Sequence, residues 1–151
     1  MDDAGNVGAG TARYARKKEA ILAAATAILN RQGVRGMTLA DVAAKVGLIT
    51  TSVTYYYRKK DDLAAACFMR GLERFDAMVT QAAAQPDPAA RLKTFLDLYL
   101  DLNRRVRLGE ATPLTSFTEI KALKEPLRSS VSNAFSDLFR RVRAFFESED
   151  F

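Results

Sequence analysis

The sequence predicts an all-α chain: a three-helix, helix-turn-helix head at the N-terminus, joined by a long helix to a helical body. Three observations carry this. Apolar residues recur at helical spacing along nearly all of the 151 residues, and no stretch alternates as a strand would. Two short helical patterns flank Gly47 within 38–60, which is the spacing of a helix-turn-helix. Basic residues gather in the same region: residues 13–60 hold ten Lys or Arg against only Glu19 and Asp41, while the rest of the chain holds thirteen basic and sixteen acidic residues. A local positive excess lying on that pattern suits a polyanionic partner.

Residues 1–12 contain Gly and Asp without periodicity and are expected to be disordered. Arg13, Arg16, Lys17 and Lys18 lead into the first helix, where they follow a phosphate backbone, reach into a minor groove or stay in solvent. That helix is expected over about 16–32, with Ile21, Leu22, Ala25, Ile28 and Leu29 inward and Gly33 stopping it. Thr38 and Asp41 stand at capping-box spacing, so a second helix starts there, with Leu39, Val42, Ala43 and Val46 on one face and Gly47 at its end. A third begins near Thr50. Val53 and Tyr57 share its inner face, and Thr50, Thr51, Thr54 and Tyr55 project from the remaining arc. Threonine hydroxyls and methyls suit base edges; tyrosine hydroxyls and lysine ammonium groups suit phosphate oxygens. Lys60 opens the fourth helix, which carries Asp61 and Asp62 in its first turn and an inward stripe of Phe68, Leu72, Phe75, Val79 and Ala82.

Asp87 and Pro88 cap and start a fifth helix, with Leu92, Phe95, Leu96, Tyr99, Leu102 and Val106 as its stripe and Gly109 closing it. A short helix is expected around 114–123. A last one follows Pro126, with Val131, Phe135, Leu138, Phe139, Val142 and Phe146 spaced to face a core. The domain division that results is a tail at 1–12, a head at 13–60 and a body at 61–151.

The order T-L-x-D-V-A-x-x-V-G-L, then T-S-V-x-Y-Y-Y-x-x-K-x-x-L, resembles the N-terminal domain of the tetracycline-repressor (TetR/AcrR) family of bacterial transcription regulators, over roughly residues 16–63. The resemblance implies that Thr38 faces phosphate at the start of the second helix and that Thr50, Thr51 and Thr54 occupy recognition-helix positions. It further implies that Tyr55, Tyr56 and Lys60 contact the DNA backbone. Thr54 stands where the family usually has tyrosine, Thr51 where glycine is common, and Ile49 and Lys59 where small polar residues usually precede helices. The first two bear on which bases are read, the last two on local capping. The resemblance also implies double-stranded DNA with an inverted-repeat operator as partner, a homodimer, and a small-molecule effector held in the body. Phe95, Tyr99, Phe117, Phe135 and Phe139 are the candidate pocket residues, with ordinary core packing as the other reading of each. Family members usually continue into further dimerising helices, so the expectation is either an incomplete body or an unusual dimer contact.

Composition narrows the function further. Without histidine, a Ser-His-Asp or Cys-His relay and an H-E-x-x-H zinc site are excluded, and neither a cofactor nor a metal is expected. Asp97 and Asp101 share a helix face with Arg104 and Arg105 one turn on, the arrangement of a surface ion-pair ladder. The single Cys67 sits in an Ala-rich helical run, as a small core residue does. No apolar run approaches the ~20 residues of a membrane span, and the expectation is a cytoplasmic regulator, a repressor released by its effector. The competing reading is a helical protein-interaction or ligand-sensing module whose basic head does not read sequence. The segment FRRVRAFF could also lie on a membrane or a partner helix.

Overall fold

The computed structural model describes residues 4–147, with side chains from residue 8 onward. Its helices are α1 (Ala4–Gly36), α2 (Leu39–Lys45), α3 (Thr50–Tyr56), α4 (Lys60–Ala83), α5 (Pro88–Arg107) and α6 (Leu127–Arg143), with 3-10 turns at Phe117–Ala122 and Ala144–Phe146. The fold is all-α, as expected, with no strand among the described residues.

The local signals that place the head are met one by one. On α1, Ile21, Leu22, Ala25, Ile28 and Leu29 are buried. Gly33 breaks the helix at φ 72°, ψ 175°, leaving a final turn that Met37 N–H closes on the Gly33 carbonyl at 3.2 Å. Asp41 N–H donates to Thr38 Oγ1 at 3.1 Å, the threonine half of the capping box; the reciprocal bond, from Thr38 N–H to the Asp41 carboxylate, is not made. Gly47 takes φ 68°, and Leu48 N–H donates to Ala43 O at 2.9 Å, folding the chain back across α2. Ile49 and Lys59 occupy the N-cap positions of α3 and α4 in extended conformation without a side-chain cap, so the two departures from small polar residues do leave those ends uncapped.

The N-terminus departs from expectation. Residues 1–3 of the expected tail lie outside the described residues, but 4–12 continue α1 instead of being irregular. Adding a residue to an existing helix forms one hydrogen bond without a new nucleus. Periodicity could not reveal this extension, because its side chains from 8 to 20 are all exposed and show no buried face.

The body is more one-sided than the stripes suggest. On α4, Leu63, Ala64, Cys67, Phe68 and Leu72 enter the head's core, which also takes in Leu123 and Val131 of the body. Farther on, Val79 and Ala82 join a small second core with Phe145. α5 is capped as expected, Ala90 N–H donating to Asp87 at 2.8 Å, yet only Leu102 of its stripe is buried; Leu92 and Leu96 are exposed. On α6, Val131 is buried, while Phe139 stands 65% exposed. Phe145, not Phe146, turns inward. The helix tightens there into a 3-10 turn, which advances each side chain by about 120° instead of 100° and shifts the inward position. Asp101 pairs with Arg104 at 2.8 Å as the ladder predicts, and Asp97 pairs backward with Lys93 at 2.6 Å.

Gly33 is the backbone position with least tolerance. Its φ/ψ is one that only glycine adopts without strain, and an added Cβ would lie 2.7 Å from Glu119 Oε2. Gly33→Ala is expected to cost about 1–3 kcal/mol, read as a lowered urea midpoint, whereas Gly8→Ala, with open space around it, leaves the midpoint within error.

Candidate nucleic-acid interface

α3 is short, seven residues, and its placement rests on Val53, which is fully buried between its neighbours. Every other residue of the helix carries a hydroxyl. Thr50, Thr51 and Tyr55 are exposed; Ser52, Thr54 and Tyr56 are half-buried. The outer arc is thus a surface of donors and acceptors with threonine methyls between them. Thr54 Oγ1 donates to Thr51 O at 2.9 Å, which turns its lone pairs and methyl outward and uses its proton.

The flanking residues sit at helix starts. Thr38 is exposed at the start of α2, its oxygen accepting the cap bond and its hydroxyl proton still available. Lys60 begins α4, and its ammonium donates to Arg35 O at the end of α1 at 3.1 Å, leaving two of three donors. Among the seven expected contact residues, Tyr55 and Tyr56 also touch each other, ring centroids 5.2 Å apart.

Tyr14 was not foreseen. Its ring packs 4.9 Å from Tyr56 and 6.4 Å from Tyr55, tying α1 to α3. The signal was present in the sequence: Tyr14 lies seven residues before Ile21, on the same helical stripe. One turn on from Tyr14, Lys18 places its ammonium 5.8 Å from the Tyr57 ring. Glu19, one of the two acids of the head, is paired with Arg70 of α4. Among the described residues Arg13, Arg16 and Lys17 have no acidic partner, so the positive field of the head stays largely unneutralised.

Two buried titratable groups lie behind this surface. Cys67 is fully buried, and burial pushes its thiol up to about 11. Tyr57, at the end of α3, has a buried hydroxyl with no hydrogen-bond partner, and its phenol is pushed up to about 12, chiefly by burial and next by the nearby Cys67.

In the body the aromatics meet around Phe75. Phe95, Tyr99 and Phe117 lie 6.3, 6.1 and 5.7 Å from its ring, and Phe135 reaches the group through Phe117 at 5.6 Å. Phe139 is not brought into this cluster, because the helix turns it to solvent. A cleft of about 300 Å³ opens beside Phe75, Tyr99 and Phe117, with Leu102, Asn103 and Leu114 among its walls. Phe95 and Phe135 support the cluster from outside that cleft. The 112–116 segment is anchored to the head and to α4: Asn30 Nδ2 donates to Leu114 O and Ser116 N–H to Asn30 Oδ1, both at 2.8 Å, and Thr115 Oγ1 donates to Cys67 O at 2.8 Å.

Residues 21–67, the three-helix head with the start of α4, match the family model for bacterial regulatory proteins of the tetR family. Over that stretch the chain is similar to the TetR family. Regulators of this family are DNA-binding transcription factors and not enzymes. The fold of the chain is similar to that of the TetR-family regulator PfmR from Thermus thermophilus, with 19% identity and a TM-score of 0.64 over 83% of this chain and 67% of that one. It is also similar to a TetR-family regulator from Bordetella parapertussis, with 18% identity and a TM-score of 0.69 over 84% and 65% of the two chains. The fatty acid degradation regulator FadR from Bacillus halodurans is similar at 19% identity and a TM-score of 0.62, over 85% and 66%. The chain therefore spans about two thirds of the length of these structures. No curated protein matches it. No described helix is long and apolar enough to cross a membrane.

The orphaned Tyr57 hydroxyl gives a sign-specific test. Because the folded-state value lies above the ordinary 10, its contribution to stability is whole below pH 10 and is lost as pH rises toward 12. Tyr57→Phe is expected to raise neutral-pH stability by on the order of 1 kcal/mol, since a buried donor without a partner is removed. Its urea midpoint should also fall less steeply than wild type above pH 10.

Proposed function

We propose that this chain is a TetR-family, sequence-specific DNA-binding repressor released by a small-molecule effector, with residues 13–60 as reading head and 61–151 as ligand-binding and dimerising body. One observation carries the reading: α3 is held by Val53 and Tyr57 on its inner side while it offers a continuous hydroxyl surface outward. Thr50, Thr51 and Thr54 read base edges. Thr38, Tyr55, Tyr56 and Lys60 hold phosphates on either side. As a homodimer, two such heads meet major grooves about one helical turn, roughly 34 Å, apart on an inverted repeat.

The body cleft supports the second half of the proposal. An effector seated against Tyr99 and Phe117 would press on the 112–116 segment, and that segment is bonded to α1 through Asn30. A second polar link runs from Val34 N–H to Glu119 Oε2 at 3.4 Å. Ligand and duplex thus compete through the angle of one helix, each favouring a different separation of the heads.

Selection from a randomised duplex pool tests the reading. Recovery of an inverted repeat supports it; a folded dimer that enriches no sequence points instead to an interaction module with a basic head. With the selected duplex, Thr50→Ala is expected to relax preference at one or two base pairs by about 1 kcal/mol each. Lys60→Ala should weaken all duplexes alike and reduce the salt slope by about one. Fluorescence anisotropy across a KCl titration separates the two behaviours.

A further inference from the structure

The third wall of the reading head is the exposed half of α1. Between it and α3 lies an open cleft of about 340 Å³, bounded by Lys17 on one side and by Leu48, Thr51, Ser52, Tyr55 and Tyr56 on the other. Its chemistry is that of an anion seat. Among the described residues Lys17 has no acidic partner, and none of the four facing hydroxyls is bonded to another protein group there. The Ser52, Tyr55 and Tyr56 hydroxyls and the Lys17 ammonium line one cleft as donors, which suits a phosphodiester oxygen, whereas a cation would be opposed.

The aromatic contacts explain why this cleft keeps its shape. Tyr55 is 74% exposed and would otherwise swing freely, but Tyr14 packs edge-on to it and lies against Tyr56 at 4.9 Å. The helical course of residues 8–17 fixes Lys17 beside that tyrosine pair, one turn from Tyr14. Lys18 differs from its neighbour: its ammonium is turned over the Tyr57 ring.

We propose that this cleft seats a backbone phosphate of the bound duplex, with Lys17 as its cation and Tyr14 as the positioning residue that holds the tyrosine wall. The inference rests on the DNA-reading assignment and extends it to a contact outside the helix-turn-helix. It makes α1 part of the footprint and adds a contact without sequence preference.

The test is a KCl titration of binding to the selected duplex by the full chain. Lys17→Gln lowers the salt slope by about one and weakens every duplex by the same factor, while Lys93→Gln, the same charge change on α5, keeps the wild-type slope. Tyr14→Ala weakens binding, and Tyr14→Phe, which keeps the ring, restores it. Replacing phosphates one at a time with neutral methylphosphonate locates the seat: at one position per half-site wild type falls to the Lys17→Gln level, and Lys17→Gln loses nothing more. A wild-type slope for Lys17→Gln, or additive losses at every phosphate, overturns the seat alone. A wild-type chain that enriches no sequence overturns the regulator reading and the seat with it. Lys17 is exposed, so its variant should melt as wild type does, and a loss of binding then reports the contact and not the fold.

Discussion

The first half of α4 is the constraint on which the rest of the structure depends. Leu63, Cys67, Phe68 and Leu72 are buried in the same core as Ile21, Leu22 and Leu29 of α1, Val42 of α2 and Val53 of α3, and that core continues to Leu123 and Val131 of the body. Close-packed side chains do not deform continuously, so α4 cannot change its angle without repacking both halves. A boundary at residue 60 therefore separates chemistry, the basic head from the slightly acidic body, more than it separates packing. Phe68 marks the join, its ring 6.4 Å from that of Phe117.

Polar links set the register of that shared core. Asn30 satisfies the backbone of Leu114 and Ser116, and Thr115, one of the few buried polar side chains, donates to the Cys67 carbonyl. Lys60 accomplishes the same on the other side of α1 by meeting the Arg35 carbonyl, a cation at a helix C-terminus. These bonds add modestly to stability, about 1 kcal/mol apiece. Their larger effect is directional, because they fix which turn of α1 the 112–116 segment faces. A strained Gly33 beside Glu119 belongs to the same junction, where backbone, carboxylate and helix end converge.

What the sequence revealed follows from how local each determinant is. The turn at Gly47, the Thr38 cap and the Asp87–Pro88 start depend on residues within four positions of each other, and all were legible. Tyr14 was legible only as a place on the α1 stripe; its contacts were not, because their partners Tyr55 and Tyr56 are more than forty residues away. Phe75 shows the opposite limit. Its place on the α4 stripe was evident, but that three other aromatics would gather on it, and that Phe139 would not, depends on how α5 and α6 are rotated. α5 packs on one side only, so a stripe six residues long yields one buried side chain, Leu102. Periodicity locates the apolar face of a helix; it does not say whether another element covers it.

The reading helix illustrates why a fold can be recognisable while its specificity is not. A seven-residue helix in isolation is well below the roughly 12–15 residues at which helices become marginally stable in water. α3 also starts at an exposed Ile49 with no side-chain cap. Its stability is thus supplied by Val53, Tyr57, the turn at Gly47 and the packing of Tyr56 on the core and on Tyr14. Because those contacts suffice, the outer threonines carry little structural duty, and Thr51 and Thr54 can stand where glycine and tyrosine are usual without disturbing the head. Thr54 shows one local consequence by bonding back to Thr51, which narrows it to an acceptor and a methyl. Scaffold and reader occupy opposite faces of the same two turns, and a substitution on one face leaves the energetics of the other nearly untouched.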